Sequence, residues 1–197
     1  MKLKNSYLLM RHGQSEANVK GLIISKPETG CHRYGLSMIG QQQVRDSVRS
    51  LSADQQPTVV ITSDFLRTRE TANLVTEYFN LNAPIPDIRL RERWFGEWEG
   101  SSDQNYQTVW QGDDPLSTTP SDVEPAKAVR KRGLVLLDAL EQRYQDETIL
   151  LVSHGDMLQI LRTAFSSLAA NQHRQLPYHQ TAEVKLLALK GTPFLGR

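Results

Sequence analysis

The chain has 197 residues, of which 39% are hydrophobic, with 12 glycines besides. That is enough for one domain around a single substantial core, and it excludes a disordered chain. Its 23 Lys and Arg against 22 Asp and Glu leave a formal charge of +1, so no overall field draws in nucleic acid or an anionic membrane, and any attraction for anions must be local. Cys31 is the single cysteine, which excludes an intrachain disulfide framework and a multi-cysteine zinc site and points to a reducing, cytoplasmic location.

The first apolar run, over 7–10, predicts a buried strand. It is too short for a signal peptide, and Arg11 and His12 stand where a cleavable site needs small residues. No run reaches the roughly 18 apolar residues of a membrane span. The polar stretch 20–34 follows, and then Ser37 as the N-cap of a helix to about 51. A second strand is predicted over 58–62, with Asp64 capping a helix over 66–79 in which Ala72, Val75 and Phe79 recur at helical spacing. The stretch 101–122 is polar. Pro125 suits the first turn of a helix running to 144, whose apolar stripe is Val129, Leu136, Leu137, Leu140 and Tyr144. A third strand over 148–152 leads into a helix from about 156 that carries Leu158, Ile160, Leu161 and Phe165. After the polar stretch 169–180, a last strand is expected over 182–189. This alternation indicates one domain over 1–197, a three-layer α/β/α arrangement with a mostly parallel central sheet. The three polar stretches are expected to border the site, because long connections in compact domains are often functional.

A polar cluster follows each of the first three strands: Arg11-His12-Gly13, Ser63-Asp64-Phe65-Leu66-Arg67 and Ser153-His154-Gly155. In open α/β sheets that is where ligands bind. His12 beside Arg11 can present its ring while guanidinium and backbone groups hold an anion, which suits a nucleophile attacking phosphorus. Arg67 and Arg69 stand at a helix start, where unpaired amides also favour phosphate. For Arg69 an ordinary surface position is the preferred reading. With His154 added, the edge is cationic enough to bind a phosphoryl group and to stabilise charge on its oxygens without a metal. Ester cleavage also needs a proton for the leaving oxygen, and the segment 90–100 offers Glu92, Glu97 and Glu99. These acids could equally pair with Arg89, Arg91 and Arg93, and spacing does not choose among them.

With these residues in order, the chain resembles the histidine phosphatase superfamily, in its phosphoglycerate mutase-like branch. The resemblance spans nearly the whole chain. Arg11-His12-Gly13 with Asn18 is its most specific element, supported by 36–43, 63–72, 90–100 and Ser153-His154-Gly155. It implies that His12 is the phosphorylated nucleophile and Glu92 the proton donor. It also implies a phosphate pocket of Arg11, Arg67 and His154, with Asn18 as a further contact and Ser15 beside it. No cofactor or metal is expected. The five histidines, at 12, 32, 154, 173 and 179, lack metal-ligand spacing, and a cationic pocket repels a divalent ion.

The expected activity is hydrolysis of a phosphomonoester, with a phosphorylated small molecule as substrate and a phosphoprotein as the second class. A phosphoglycerate mutase-type transferase shares the first half-reaction, but mutases of the family are generally longer, so the short chain favours hydrolysis. A non-catalytic phosphate-binding module would need the cations but neither His12 nor Glu92. His32 and Arg33, in a stretch without a family motif, are candidate substrate contacts. The sequence carries no signal for an oligomeric state.

Overall fold

The computed structural model describes residues 2–113 and 122–193. Five strands form one sheet in the order β3-β2-β4-β1-β5: β1 (Ser6–Arg11), β2 (Val59–Thr62), β3 (Ile85–Pro86), β4 (Thr148–Ser153) and β5 (Val184–Ala188). The first four run parallel and β5 pairs antiparallel with β1. The mostly parallel sheet expected from the alternation of elements is therefore present. Among the described residues seven α-helices accompany it: α1 (Glu16–Val19), α2 (Pro27–Gly30), α3 (Met38–Arg49), α4 (Leu66–Tyr78), α5 (Tyr106–Gly112), α6 (Ala126–Arg143) and α7 (Gly155–Arg162).

Side chains alternate across a strand, so each apolar strand supplies two cores. Tyr7, Leu9, Ile149 and Leu151 pack with Val129, Leu136 and Leu140 of α6 and with Leu158 and Leu161 of α7. Leu8, Met10, Leu150 and Val152 pack on the opposite face with Val44 and Val48 of α3 and Ala72 and Val75 of α4. This accounts for the unbroken apolar runs: both faces of β1 and β4 are covered, so no polar residue alternates in. A smaller cluster of Ile23, Phe95, Val109 and Val123 lies apart from these two and joins the connections that surround the site.

Several boundaries differ from the sequence expectation. Phe65, not Asp64, is the N-cap of α4, with no side-chain cap, because the Asp64 carboxylate is engaged by Arg91 Nε and Nη2 at 2.9 and 2.6 Å. Pro125 is the N-cap of α6 and stands one residue outside its first turn. The helix expected to carry Phe165 ends at Arg162 and continues as a single 3-10 turn, Thr163–Phe165, where Thr163 Oγ1 donates back to the Ile160 carbonyl at 2.6 Å. The last strand starts two residues late because Ala182 has a φ of 59°, and its amide is turned toward the carbonyls of Arg11 and His12. Strand β3 was not expected, since a two-residue strand beside Pro84 and Pro86 leaves no periodic signal.

Candidate active site

The site lies beyond the carboxyl ends of β1, β2 and β4, where the three polar clusters meet. One small pocket is lined by Arg11, His12, Ser15, Asn18, Arg67, Glu92 and Tyr106 together with apolar side chains of 17–24. His154 adjoins it through Arg67 at 2.9 Å.

His12 leaves β1 with its amide donating to the Ser153 carbonyl at 3.0 Å, which fixes its backbone to the end of β4. Its Nδ1 is 2.8 Å from the Gly13 carbonyl. A carbonyl can only accept, so this contact assigns the proton to Nδ1 and leaves the lone pair on Nε2. That lone pair accepts from Arg67 Nε at 3.1 Å. Burial first, and then the charges of Arg67 and Arg11, hold the imidazole pKa well below its ordinary value, so the ring is neutral near pH 7. The loop is set by close backbone packing. A Cβ on Gly13 would come 2.5 Å from the Gly40 carbonyl oxygen, and one on Gly40 would come 2.0 Å from that of Gln14. Two glycines thus let the start of α3 rest directly on the loop that carries His12.

Arg67 enters from the first turn of α4 and is 3% exposed. Its Nη2 donates to the Ile24 carbonyl and to His154 Nδ1, both at 2.9 Å. His154 Nε2 then carries the proton and donates to Ser63 Oγ at 2.9 Å. Burial, followed by the charges of Arg67 and His12, depresses the His154 pKa as well. Burial lowers the Arg67 guanidinium to about 10, which still leaves it charged at neutral pH. Buried Nη1 of Arg67 and buried Nε of Arg11 have no hydrogen-bond partner among the described residues. Such donors are costly unless a ligand oxygen answers them. Arg11 is held by Tyr178 Oη at 2.5 Å and the His179 carbonyl at 3.0 Å.

Of the three acids, Glu92 is the one that the fold brings to the pocket. It lines the pocket and is 8% exposed, with Oε1 accepting the amides of Arg93 at 2.9 Å and Met157 at 3.3 Å. Burial above all, and next the neighbouring Asp156, raises its pKa to about 7, so near neutrality it is a proton donor in part of the population. Glu97 is exposed. Glu99 braces the connection 20–34, its Oε2 accepting from Ser25 N, Ser25 Oγ and Lys26 N at 2.6, 2.8 and 3.0 Å. None of the three acids makes the arginine pairs considered from sequence: Arg89 pairs with Asp87, Arg91 with Asp64 and Arg93 with Asp113.

Ser15 is the N-cap of α1, and its hydroxyl donates to Asn18 Oδ1 at 2.9 Å. This capping box commits the Ser15 hydroxyl and the Asn18 backbone amide to one another's residues and leaves the side-chain nitrogen Nδ2 of Asn18 for a ligand. Arg69 is exposed and reaches the Cys31 carbonyl at 3.2 Å, away from the pocket. His32 and Arg33 are exposed and line a separate depression with Lys20 and Tyr34. Tyr106, which sequence reasoning did not single out, lines the pocket, and burial followed by Glu92 pushes its phenol pKa up, so it is a hydrogen-bond donor. Its only sequence signal was its place in the polar stretch 101–122, part of which (114–121) lies outside the described residues.

Among the described residues no three His, Cys, Asp or Glu side chains are grouped so as to hold a metal ion, and no helix is long and apolar enough to cross a membrane. The arrangement can present a neutral nucleophilic nitrogen, cationic donors for phosphoryl oxygens and a protonated carboxyl in one small space.

Residues 7–195 match the family described as the histidine phosphatase superfamily (branch 1). A 2,3-bisphosphoglycerate-dependent phosphoglycerate mutase of Chelativorans sp. is 26% identical over 182 residues, covering 86% of this chain and 85% of that protein. An adenosylcobalamin/alpha-ribazole phosphatase of Salmonella typhimurium is 30% identical over 166 residues, covering 78% and 75%. The solved structure of Bacillus stearothermophilus YhfR superimposes with a TM-score of 0.78 at 25% identity, covering 98% of this chain and all (100%) of the other.

Proposed function

The chain belongs to the histidine phosphatase superfamily, branch 1, and on that footing we propose that it hydrolyses a phosphomonoester through a phosphohistidine on His12 Nε2, with Glu92 as general acid. The observation that carries this reading is the His12 tautomer. Gly13 holds the proton on Nδ1, while Nε2 points its lone pair at Arg67, 3.1 Å away. A phosphoryl group seated between them would meet a neutral nucleophile on one side and guanidinium donors around its oxygens.

In the first step the Nε2 lone pair forms a bond to phosphorus as the ester P–O bond breaks. The leaving oxygen takes the proton of Glu92, and the oxygens gain hydrogen bonds from Arg67, which His154 holds in place, and from Arg11. In the second step the Glu92 carboxylate removes a proton from water, whose oxygen attacks phosphorus. The P–N bond breaks, phosphate departs, and both His12 and Glu92 return to their starting forms.

The substrate class proposed is a phosphorylated small molecule met in the cytoplasm; the Salmonella relative is named as a phosphatase of adenosylcobalamin/alpha-ribazole. A phosphoprotein is the other outcome a substrate screen can return. Because the chain spans 85% of the mutase relative, length does not separate hydrolase from mutase, and the acceptor has to be tested directly.

The test combines rapid quenching with a comparison of leaving groups. A quenched reaction with labelled p-nitrophenyl phosphate is expected to contain an acid-labile, base-stable phosphoryl adduct on His12, absent in His12→Ala. Glu92→Gln should slow alkyl phosphates more than p-nitrophenyl phosphate by a factor on the order of 10², the range of general acid catalysis. An adduct on His154, or turnover surviving in His12→Ala, would overturn the assignment. Isomerisation of a phosphoglycerate without release of phosphate would make the protein a mutase.

A further inference from the structure

A buried carboxylate that the proposed reaction does not use stands beside the pocket. Asp156, in the first turn of α7, is 4% exposed, and the amide of the next residue, Met157, donates to Glu92 Oε1 at 3.3 Å. Trp110 Nε1 lies 3.1 and 3.0 Å from the two carboxylate oxygens of Asp156. Trp110 belongs to α5, which also carries Tyr106 into the pocket, and the two rings stack with centroids 5.3 Å apart. On its other contact Trp110 meets the Arg174 guanidinium, 3.6 Å from the ring centroid, and Arg174 Nη1 donates to Gln159 Oε1 of α7 at 2.6 Å. Helix α5 is thus fastened to α7, and Asp156 is the polar anchor of that fastening.

We propose that Asp156 is a positioning residue that ties α5 over the pocket through Trp110 and sets its own carboxylate beside Glu92. The arginine that approaches it is engaged elsewhere. Arg93 Nη1 is 3.7 Å from Asp156, but its fork is closed on Asp113 at 2.7 and 2.6 Å. His173 Nε2 is 3.9 Å from Asp156, and burial holds that imidazole pKa below its ordinary value, so it brings no charge near pH 7. Around Glu92 itself stand Arg67 from α4, Arg11 from β1, Tyr106 from α5 and Asp156 from α7. Arg132 of α6 donates to the Glu92 carbonyl at 3.2 Å. The two arginines favour the ionised acid. Burial and Asp156 oppose them, and only Asp156 can be neutralised without opening the pocket.

The consequence concerns the proton that Glu92 delivers. Removing the Asp156 charge makes Glu92 ionise at lower pH, so the protonated donor is lost earlier on the alkaline side. The inference rests on Glu92 being the acid, and the experiment separates the two claims. Asp156→Asn keeps an oxygen for Trp110 Nε1, and Arg93 keeps Asp113 and the Glu124 carbonyl at 2.7 Å, so the variant should fold with a melting temperature near that of the parent. The alkaline limb of kcat/KM for an alkyl phosphate is expected to move down by about one pH unit, within the range of single-charge effects. For p-nitrophenyl phosphate, whose leaving group needs little protonation, the limb should move much less. Trp110→Phe removes the indole N–H but leaves the charge, so its limb should stay in place or rise. Glu92→Gln is run alongside. If it shows no leaving-group selectivity, the functional reading fails. If it is selective and Asp156→Asn leaves the limb unmoved, fails to fold, or behaves like Trp110→Phe, the role given to Asp156 is overturned and the functional reading stands.

Discussion

Arg67→Ala is the perturbation from which the site has most to lose. The side chain donates to His12 Nε2, to the Ile24 carbonyl and to His154 Nδ1 at 3.1, 2.9 and 2.9 Å, and its Nη1 is a buried donor without a partner among the described residues. Loss of one pre-placed donor to a developing oxyanion costs about 3 kcal/mol or more, which corresponds to at least 10² in kcat/KM. The same substitution removes a positive charge that, after burial, is the strongest influence lowering the His12 pKa. The His12 pKa should therefore rise, and since the nucleophile must be neutral, the acidic limb of the rate profile should move to higher pH. Burial and Arg11 remain, so the limb should stay below the ordinary histidine value of about 6.5. The assay is kcat/KM for p-nitrophenyl phosphate across pH 4.5 to 8, with Arg69→Ala as the comparison because Arg69 reaches only the Cys31 carbonyl at 3.2 Å. Arg67→Lys should recover little, since a point charge cannot span three acceptors. A loss below tenfold, an acidic limb that moves down, or equal losses at Arg67 and Arg69 would refute the reasoning.

Two further outcomes follow from packing and titration. The Glu92 carboxyl has a pKa of about 7 in the folded protein against an ordinary 4.5, so the folded state holds that proton more tightly than the unfolded chain and stability falls as pH rises between the two values. Relative to Glu92→Gln, the parent should lose on the order of 3 kcal/mol across that window; melts at pH 5 and pH 8 would show the gap widening, and a gap that narrows contradicts the buried, protonated acid. Gly40→Ala places a Cβ 2.0 Å from the Gln14 carbonyl oxygen, which must push α3 off the His12 loop and cost roughly 1–3 kcal/mol. Denaturant unfolding and kcat/KM should both fall, and a stability change within about 0.5 kcal/mol would mean the contact relaxes freely.

Much of this molecule is a local property of its chain. The runs at 7–10, 58–62 and 148–152 are apolar on both faces, and a strand with helices packed on either side is the arrangement that buries both, so the parallel sheet and the edge where the polar clusters gather were legible before any coordinates. Arg11-His12-Gly13 and Ser153-His154-Gly155 follow those runs directly and Arg67 opens the next helix, so their place along that edge follows from chain order. The proton affinity of Glu92 was different, because it is raised by burial and by Asp156, 64 residues on in the chain. The same holds for Asp64, an ideal N-cap by type that is taken by Arg91 across 27 residues, and for Ser15, whose hydroxyl is spent on α1. Tyr106 reaches the pocket only because the connections pack on one another, where the distant Phe95 and Ile23 belong to the small core it packs against. Periodicity records which face of an element is apolar and which residues lie next to one another. Proton affinity and hydrogen-bond partners depend on groups brought from far along the chain, and the tertiary structure alone decided them.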